Sequence, residues 1–299
     1  MSKVSVIIPT YGNPIFLEKA IGSVLNQTFE DIELIVVDDN NPNTEDRILT
    51  EDLVTKFNNS EQKIIYLKHD CNKNGAVARN TGFSVSSGKY ISLLDSDDEY
   101  YPERIEKCFN KMEQCSDKIA GIYTGCEFRR RGKTYHDKKN VQAGNFLVST
   151  LACKFMFGTG SNIFFRKSVV DELNGFDEAF LRHQDYEFLV RVFKKYAVEA
   201  IPEVLVIKNN ENLNVPNVKK MIDIKAQYLN KFKHIIQGLQ ETDQKYIYRM
   251  NNVSIAEHAL STRQLSIAND YYMHAKEYGS LTIKELFRRI IFTILNFVQ

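Results

Sequence analysis

Tyr90-Ile91-Ser92-Leu93-Leu94-Asp95-Ser96-Asp97-Asp98 is the stretch that decides the reading of this chain. The first five residues form an apolar run broken only by Ser92, the pattern of a short buried strand. Three carboxylates follow within four residues at its C-terminal tip. Residues i and i+2 of an extended segment point the same way, so Asp95 and Asp97 are expected to converge. Two carboxylates held close in a partly dry cleft repel each other, and a divalent cation relieves that repulsion. Hard oxygen ligands of this kind suit Mg²⁺ or Mn²⁺. Standing alone, Asp-x-Asp reads equally as a solvated acidic turn, so its neighbours carry the decision.

Working outward, the first half of the chain alternates strand and helix patterns. Val4-Ser5-Val6-Ile7-Ile8 is a β-branched run closed by Pro9, and Ile32 to Val37 is a second buried run ending at Asp38-Asp39. Phe16, Leu17, Ala20, Ile21, Val24 and Leu25 lie between them at helical spacing. Residues 45–57 have helical character, Lys63 to Leu67 form a third strand, and Gly75 to Val85 suit a helix opened by Asn74-Gly75. Pro102 fits the first turn of the helix after the acidic motif. Successive βα units predict a parallel sheet with helices on both faces, whose ligands gather at the C-terminal strand tips. Beyond about residue 118, Ile119 to Phe128 and Ser161 to Phe165 read as strands separated by a basic, polar stretch at 129–145. From Val215-Pro216 onward the pattern is helical, so the expected division is an α/β domain at 1–213 and a helical region at 214–299.

The 299 residues, 43% hydrophobic and 26% charged, are those of an ordinary globular protein. A net charge of +1, with no interleaved basic and aromatic motif, argues against a nucleic-acid partner. The balance hides an asymmetry: residues 216–299 carry 12 Lys and Arg against 7 Asp and Glu. Five cysteines form no CxxC pair, and no leader pattern precedes them, so reduced thiols in a cytoplasmic setting are expected. No run reaches the roughly 18 apolar residues of a membrane-spanning helix.

Two further segments offer ligand chemistry. The loops Pro9-Thr10-Tyr11-Gly12-Asn13 and Val37-Asp38-Asp39-Asn40 follow adjacent strands and so share one edge of a cleft. Asp38 or Asp39 would accept hydrogen bonds from a base or ribose, and Tyr11 would pack on a ring. The GxGxxG fingerprint of a dinucleotide site is absent after the first strand. Asn74-Gly75-Ala76-Val77-Ala78-Arg79-Asn80 adds helix-terminal amides that favour anions, with Arg79 to neutralise a phosphate.

In this order, Val4 to Tyr11, Gln27-Thr28, Val36 to Asp39, Asn74-Gly75, Ala78-Arg79-Asn80 and Leu94 to Asp98 resemble the family 2 glycosyltransferases. The resemblance covers roughly residues 3–205. It implies the GT-A fold, a mixed and mostly parallel α/β sheet flanked by helices, here with a C-terminal helical extension. It also implies an inverting transferase that uses an activated sugar, usually a UDP-sugar, with bound Mn²⁺ or Mg²⁺. Pro9, Thr10, Tyr11, Asp38, Asp39, Asn74, Gly75, Arg79, Asp95 and Ser96 then fall to the donor nucleotide, and Asp97 with Asp95 to the metal. Downstream, Gly158 to Asn162 and Arg182-His183-Gln184-Asp185-Tyr186 fit as well. Asp185 matches the family's catalytic base, although Gln184 stands where the family usually has Glu. Gly160, Ser161, His183, Gln184 and Tyr186 are the expected acceptor contacts. The chain has no tryptophan, so Tyr186 would supply any aromatic platform.

The expected donors are UDP-glucose, UDP-galactose and UDP-N-acetylglucosamine, and the expected acceptor is a glycan, lipid-linked or glycoprotein hydroxyl. A nucleotidyltransferase of similar sheet would want a Gly-rich, Lys-bearing first loop, which Pro9 to Asn13 does not offer. A catalytically silent sugar-binding or scaffold protein would have lost these carboxylates. In the tail, Ile283, Leu286, Phe287, Ile290, Ile291, Ile294, Leu295 and Val298 follow helical spacing, with Lys284, Arg288 and Arg289 off the stripe. Packing on neighbouring helices or a second subunit is the expected fate. A peripheral contact with the inner membrane face is the alternative.

Overall fold

The computed structural model describes residues 3–12, 14–59, 64–155, 157–209, 215–283, 285–287 and 290. The four apolar runs of the first half become β1 (Val4–Thr10), β2 (Ile32–Asp38), β3 (Ile64–Lys68) and β4 (Tyr90–Leu93), parallel to one another in the order β3-β2-β1-β4. Their register sets Thr10 beside Asp38 and Ile7 beside Leu93, which brings the tips of β1, β2 and β4 to one edge. Three helices join them: α1 (Leu17–Leu25), α2 (Glu45–Asn58) and α3 (Gly75–Val85). Leu17, Ala20, Ile21 and Val24 bury one face of α1, the stripe read from the sequence. Helix α3 lies so close to the sheet that a Cβ on Gly82 would stand 2.5 Å from the Ile7 side chain.

Past β4 the sheet becomes mixed. A two-residue strand β5 (Glu99–Tyr100) and helix α4 (Arg104–Glu113) lead into β6 (Ile119–Arg130) and β7 (Lys133–Lys138). After α5 (Leu147–Leu151) and a 3-10 turn at Gly160–Asn162 come β8 (Phe164–Arg166), α6 (Lys167–Glu172), α7 (Gln184–Phe193) and β9 (Ala197–Asn209). β8 inserts antiparallel between β4 and β6, and β9 runs parallel to β6. Three of these features were not expected. The polar stretch at 129–145 contains β7, a hairpin partner of β6 whose residues are almost all exposed and so show no apolar pattern. The run at 161–165 splits into the 3-10 turn and a shorter strand. β9 is broken in sequence by Pro202, which ordinarily argues against a strand interior. The sheet absorbs it as a bulge: Ile201 pairs with Thr124 and Val204 with Gly125, so Pro202 and Glu203 stand out of register. Gly125 is what permits this, since a Cβ there would lie 2.7 Å from the Glu203 carbonyl oxygen.

The described chain divides into two compact units, one of residues 1–145 and 156–213, the other of 146–155 and 214–299. The second unit contains α5, α8 (Val218–Lys231), α9 (Lys233–Gln237), α10 (Glu241–Ser261) and α11 (Leu265–Glu277). Val218, Val253, Ala256, Leu260, Ala268 and Tyr272 are among its buried core. Residues 146–155 join it through hydrogen bonds that no pattern announces: the Tyr228 hydroxyl donates to the Thr150 carbonyl at 2.8 Å, and Asn251 Nδ2 to the Leu151 carbonyl at 3.0 Å. Thr282 and Glu285 form a reciprocal capping box, Thr282 N to Glu285 Oε2 and Glu285 N to Thr282 Oγ1. Ile283, Leu286, Phe287 and Ile290 of the expected tail stripe are exposed. Ile291, Ile294, Leu295 and Val298, with Lys284, Arg288 and Arg289, lie outside the described residues. Among the described residues no helix is long and apolar enough to cross a membrane.

Beneath the strand tips sits a buried ion pair. Asp38 has no exposed surface, and its Oδ2 meets Arg47 Nε at 3.0 Å and the Tyr66 hydroxyl at 2.5 Å. Arg47 also donates to the His69 carbonyl at 2.9 Å, tying α2 to the ends of β2 and β3. Removing one partner of such a pair leaves the other charge buried and uncompensated. Arg47→Met should therefore lower the unfolding free energy by about 3–5 kcal/mol in urea titration, and the double variant with Asp38→Asn should recover part of that loss.

Candidate active site

The site is built from the β4 tip outward. The Asp98 amide donates to the Asp95 carbonyl at 3.0 Å, closing a turn across Asp95-Ser96-Asp97-Asp98. Carboxylate oxygens of Asp95, Asp97 and Asp98 lie within 4.8 Å of one another. The three acids do different things. Asp98 is fully buried and accepts from Thr159 Oγ1 at 2.9 Å, Ser161 Oγ at 2.5 Å and the Asn209 amide at 3.2 Å. Burial, with Asp95 and Asp97 beside it, pushes its pKa up to about 7 against the pull of Lys208. Asp95 gives Oδ1 to Arg79 Nη2 at 2.7 Å. Burial works against its charge, but Arg79 and Lys208 prevail and hold it below the ordinary value. Asp97 is the most open of the three, with Lys208 Nζ at 3.6 Å; burial raises its pKa, Asp95 adds to the rise and Lys208 opposes it.

Convergent hard oxygens on an ionised turn fit a divalent metal. Asp97 is the more available of these acids, because Asp98 already accepts from Thr159 and Ser161. Asp95 keeps Oδ2, turned toward Gly160, as a second donor.

Arg79 links this turn to the far wall. Its Nη1 donates to Gln184 Oε1 at 3.0 Å and to the Gly75 carbonyl at 3.2 Å, and its guanidinium lies 5.6 Å from the Phe176 ring centroid. Gln184 Nε2 in turn donates to the Phe180 carbonyl at 2.7 Å. A glutamate at 184 would place an acceptor against that carbonyl, so the amide suits these surroundings. Asp185 follows at the start of α7, its Oδ1 accepting from the Tyr186 amide at 2.9 Å. Burial raises its pKa and Asp95 adds to the rise, opposed by the Tyr186 hydrogen bond and Arg79. Asp95, Asp185, Arg79, Gly160 and His183 all line one cavity of about 160 Å³. Two carboxylates far apart in the sequence thus open onto the same space.

Other expected site residues take up different positions. Asp38 and Asp39 were expected to touch the donor directly, yet the structure turns both inward. Asp38 is held by Arg47, Tyr66 and the Asn40 amide. Asp39 accepts from His69, the Lys73 amide, Asn72 and the Asn74 amide at 2.6–3.0 Å, which uses all its lone pairs. It thereby shapes the loop that delivers Asn74, at φ 86°, to cap α3 through the Ala76 and Val77 amides. Ser161 was expected at the acceptor but has no exposed surface: its Oγ donates to Asp98 and accepts from the Asp95 amide at 2.9 Å. It braces the acidic turn. Tyr186 packs edge-on against Phe157, 6.2 Å between centroids. Thr10 is buried and Pro9 and Ser96 are partly so, while Tyr11 is 64% exposed, beside Gly12, whose amide donates to Asn40 Oδ1 at 2.7 Å. His183 takes a left-handed conformation, φ 60°, immediately before α7.

Two supports carry no signal in the local sequence pattern. Lys208 lies on β9, the strand that Pro202 disguised. Arg104 is buried under the site and donates to Thr124 Oγ1 at 2.9 Å and the Ser161 carbonyl at 3.3 Å, holding the 159–162 turn. The Gln27-Thr28 motif serves the same end: Gln27 bonds the Tyr101 carbonyl and the Ile105 amide, each at 2.9 Å, and fixes the chain leaving the acidic motif.

A mixed α/β sheet of this order, with an acidic turn at the β4 tip and a carboxylate facing it from α7, defines a glycosyltransferase of the GT-A class. Residues 5–173 match the model of glycosyl transferase family 2, and the chain belongs to that family. It is 32% identical over 232 residues, 74% of this chain and 67% of the relative, to the poly(ribitol-phosphate) β-N-acetylglucosaminyltransferase TarP of Staphylococcus aureus. In fold it resembles S. aureus TarS residues 1–349 in complex with UDP-GlcNAc, with a TM-score of 0.57, 14% identity and coverage of 92% of this chain and 90% of that one. A mannosyltransferase from Pyrobaculum calidifontis in complex with GDP-Man and Mn²⁺ is similar to the same degree, at 0.57, 17%, 94% and 76%.

A Cβ on Gly75 would stand 2.9 Å from Arg79 Nη1 and 3.4 Å from Gln184 Oε1. Gly75→Ala should therefore leave the thermal midpoint within a few degrees while cutting kcat/KM by about 10- to 100-fold, because misplacement at a distance from the reacting atoms costs on that scale.

Proposed function

We propose that this glycosyltransferase moves a hexose from a UDP-sugar to a hydroxyl of a glycan acceptor, with inversion at the anomeric carbon. The observation that carries the reading is the shared cavity: Asp95 of the acidic turn and Asp185 of α7 line it together, with Arg79 bridging the two walls. The TarS complex with UDP-GlcNAc supports a UDP-sugar donor, and the name of TarP supports a polymeric acceptor that offers hydroxyl groups. The GDP-Man complex of the same fold means that sheet topology alone does not select the base.

In the reaction the acceptor oxygen attacks the anomeric carbon as the bond to the diphosphate oxygen breaks. The acceptor proton passes to a carboxylate oxygen of Asp185, whose raised pKa suits it to take a proton from a hydroxyl. A divalent metal held by Asp97 and Asp95 would supply Lewis-acid stabilisation of the leaving diphosphate. Arg79 keeps Asp95 ionised and oriented, and Gln184 holds Arg79 in turn. Displacement from the face opposite the leaving group inverts the centre, so an α-linked donor yields a β-linked product.

Incubation with a panel of UDP- and GDP-sugars and Mn²⁺, following nucleoside diphosphate release, tests the donor class. Release from a UDP-hexose is expected, and turnover confined to GDP-sugars would overturn the assignment. Asp97→Ala should abolish transfer, and near-normal turnover would remove the metal role. Asp185→Asn should keep UDP-sugar affinity within a few-fold and lower kcat by on the order of 10²–10⁴. Asp185 is active unprotonated, so kcat/KM should fall as pH drops through a pKa above the usual 3.8 of an aspartate. A limb at or below that value would show that Asp185 is not the base.

A further inference from the structure

Lys208 lies one residue before the end of β9, with its ammonium 3.3 Å from Asp98 Oδ1 and 3.6 Å from Asp97 Oδ1. A lysine ammonium paired with carboxylates is a cation throughout the working range. Its side chain is 21% exposed, which leaves the flexible stem a route out of the cluster. Asp98 has three other hydrogen-bond donors, whereas Lys208 is the only cation within ion-pair distance of Asp97 among the described residues. A dication bound to Asp97 would meet this ammonium at a few ångströms, where like charges repel strongly.

We propose that Lys208 is an exchangeable counter-ion of the acidic turn: it disfavours a divalent cation on Asp97 until a diphosphate arrives, then turns to the phosphate oxygens as the metal enters. The inference rests on the metal and donor reading above and adds an order to it, with metal and nucleotide entering together. The exchange balances in charge, since the ammonium leaves one anionic partner for another while the dication takes its place. Lys208 is thus a positioning residue for the diphosphate and a competitor of the metal, and its removal should move the two affinities in opposite directions.

The test measures Mn²⁺ binding to the full chain by electron paramagnetic resonance, and UDP binding by calorimetry, for wild type, Lys208→Gln, Lys208→Met and Lys208→Arg at pH 8.5. In either neutral variant Mn²⁺ alone should bind about tenfold tighter than in wild type, and UDP with saturating Mn²⁺ about tenfold weaker, within the usual span of site-to-site coupling. Lys208→Arg should stay close to wild type in both. Affinities that move in the same direction, or do not move, overturn the proposal. So does a wild-type chain that binds Mn²⁺ as tightly without UDP as with it, a result that needs no variant to fold. Failure of wild type to bind Mn²⁺ even with UDP instead removes the metal reading beneath it, and failure to bind UDP removes the donor reading.

Discussion

Four carboxylates, Asp95, Asp97, Asp98 and Asp185, gather at one edge of the sheet, and their mutual repulsion is the constraint around which the catalytic unit is organised. Two like charges at about 4 Å repel by about 4 kcal/mol at an effective dielectric of 20. Three such acids on one turn would cost a large part of the stability of an ordinary domain. Arg79 and Lys208 offset that cost from opposite sides, Arg79 on Asp95 and Lys208 on Asp97 and Asp98. Hydroxyls of Thr159 and Ser161 and the Asn209 amide bear the rest on Asp98. The hydroxyls and cations that stabilise the fold here also set the charge of the acidic turn.

Helix α3 connects these parts. Its N-cap, Asn74, is placed by a loop wrapped around Asp39; its Arg79 joins Asp95 to Gln184; and Asn80 bonds the Phe176 amide at 2.8 Å and the Phe176 carbonyl at 2.9 Å. One helix therefore touches the loop after β2, the acidic turn and the segment leading to Asp185. Small residues allow the closeness. Gly82 lets α3 sit on Ile7, and Gly75 leaves room for the Arg79 guanidinium to reach Gln184. The Asn74–Asn80 segment is the one through which the site is assembled.

Asp38 and Asp39 make the complementary point. Their position after β2 is where a ligand-binding acid belongs, and the chemistry of their side chains suits a ribose or base. Both are nonetheless buried and fully engaged with Arg47, Tyr66, His69 and loop amides. They build the wall behind the loop that follows β1. Ser161 behaves alike, bracing the acidic turn rather than facing an acceptor.

The order of strands and helices to Asp98, the parallel start of the sheet and the convergence of Asp95 with Asp97 were determined by the chain itself. Those features are local: a β-branched run ends at Pro9 or at an acid, although Asp95 and Asp97 meet across a turn closed by the Asp98 amide on the Asp95 carbonyl and not along an extended segment. Asp185 was legible only through the likeness to family 2 glycosyltransferases, since an acid near a helix start is common. Tertiary structure decided what periodicity does not encode. β9 passes through a proline that its neighbour Gly125 tolerates by a bulge, and β7 has no apolar face to betray it. Residues 146–155 join the helical unit through two side-chain bonds to backbone carbonyls. Lys208, more than a hundred residues beyond Asp97, meets it because β9 ends beside the acidic turn. Pairings at such separation depend on which strands become neighbours, and that is settled by the packing of the whole sheet, not by any segment of it.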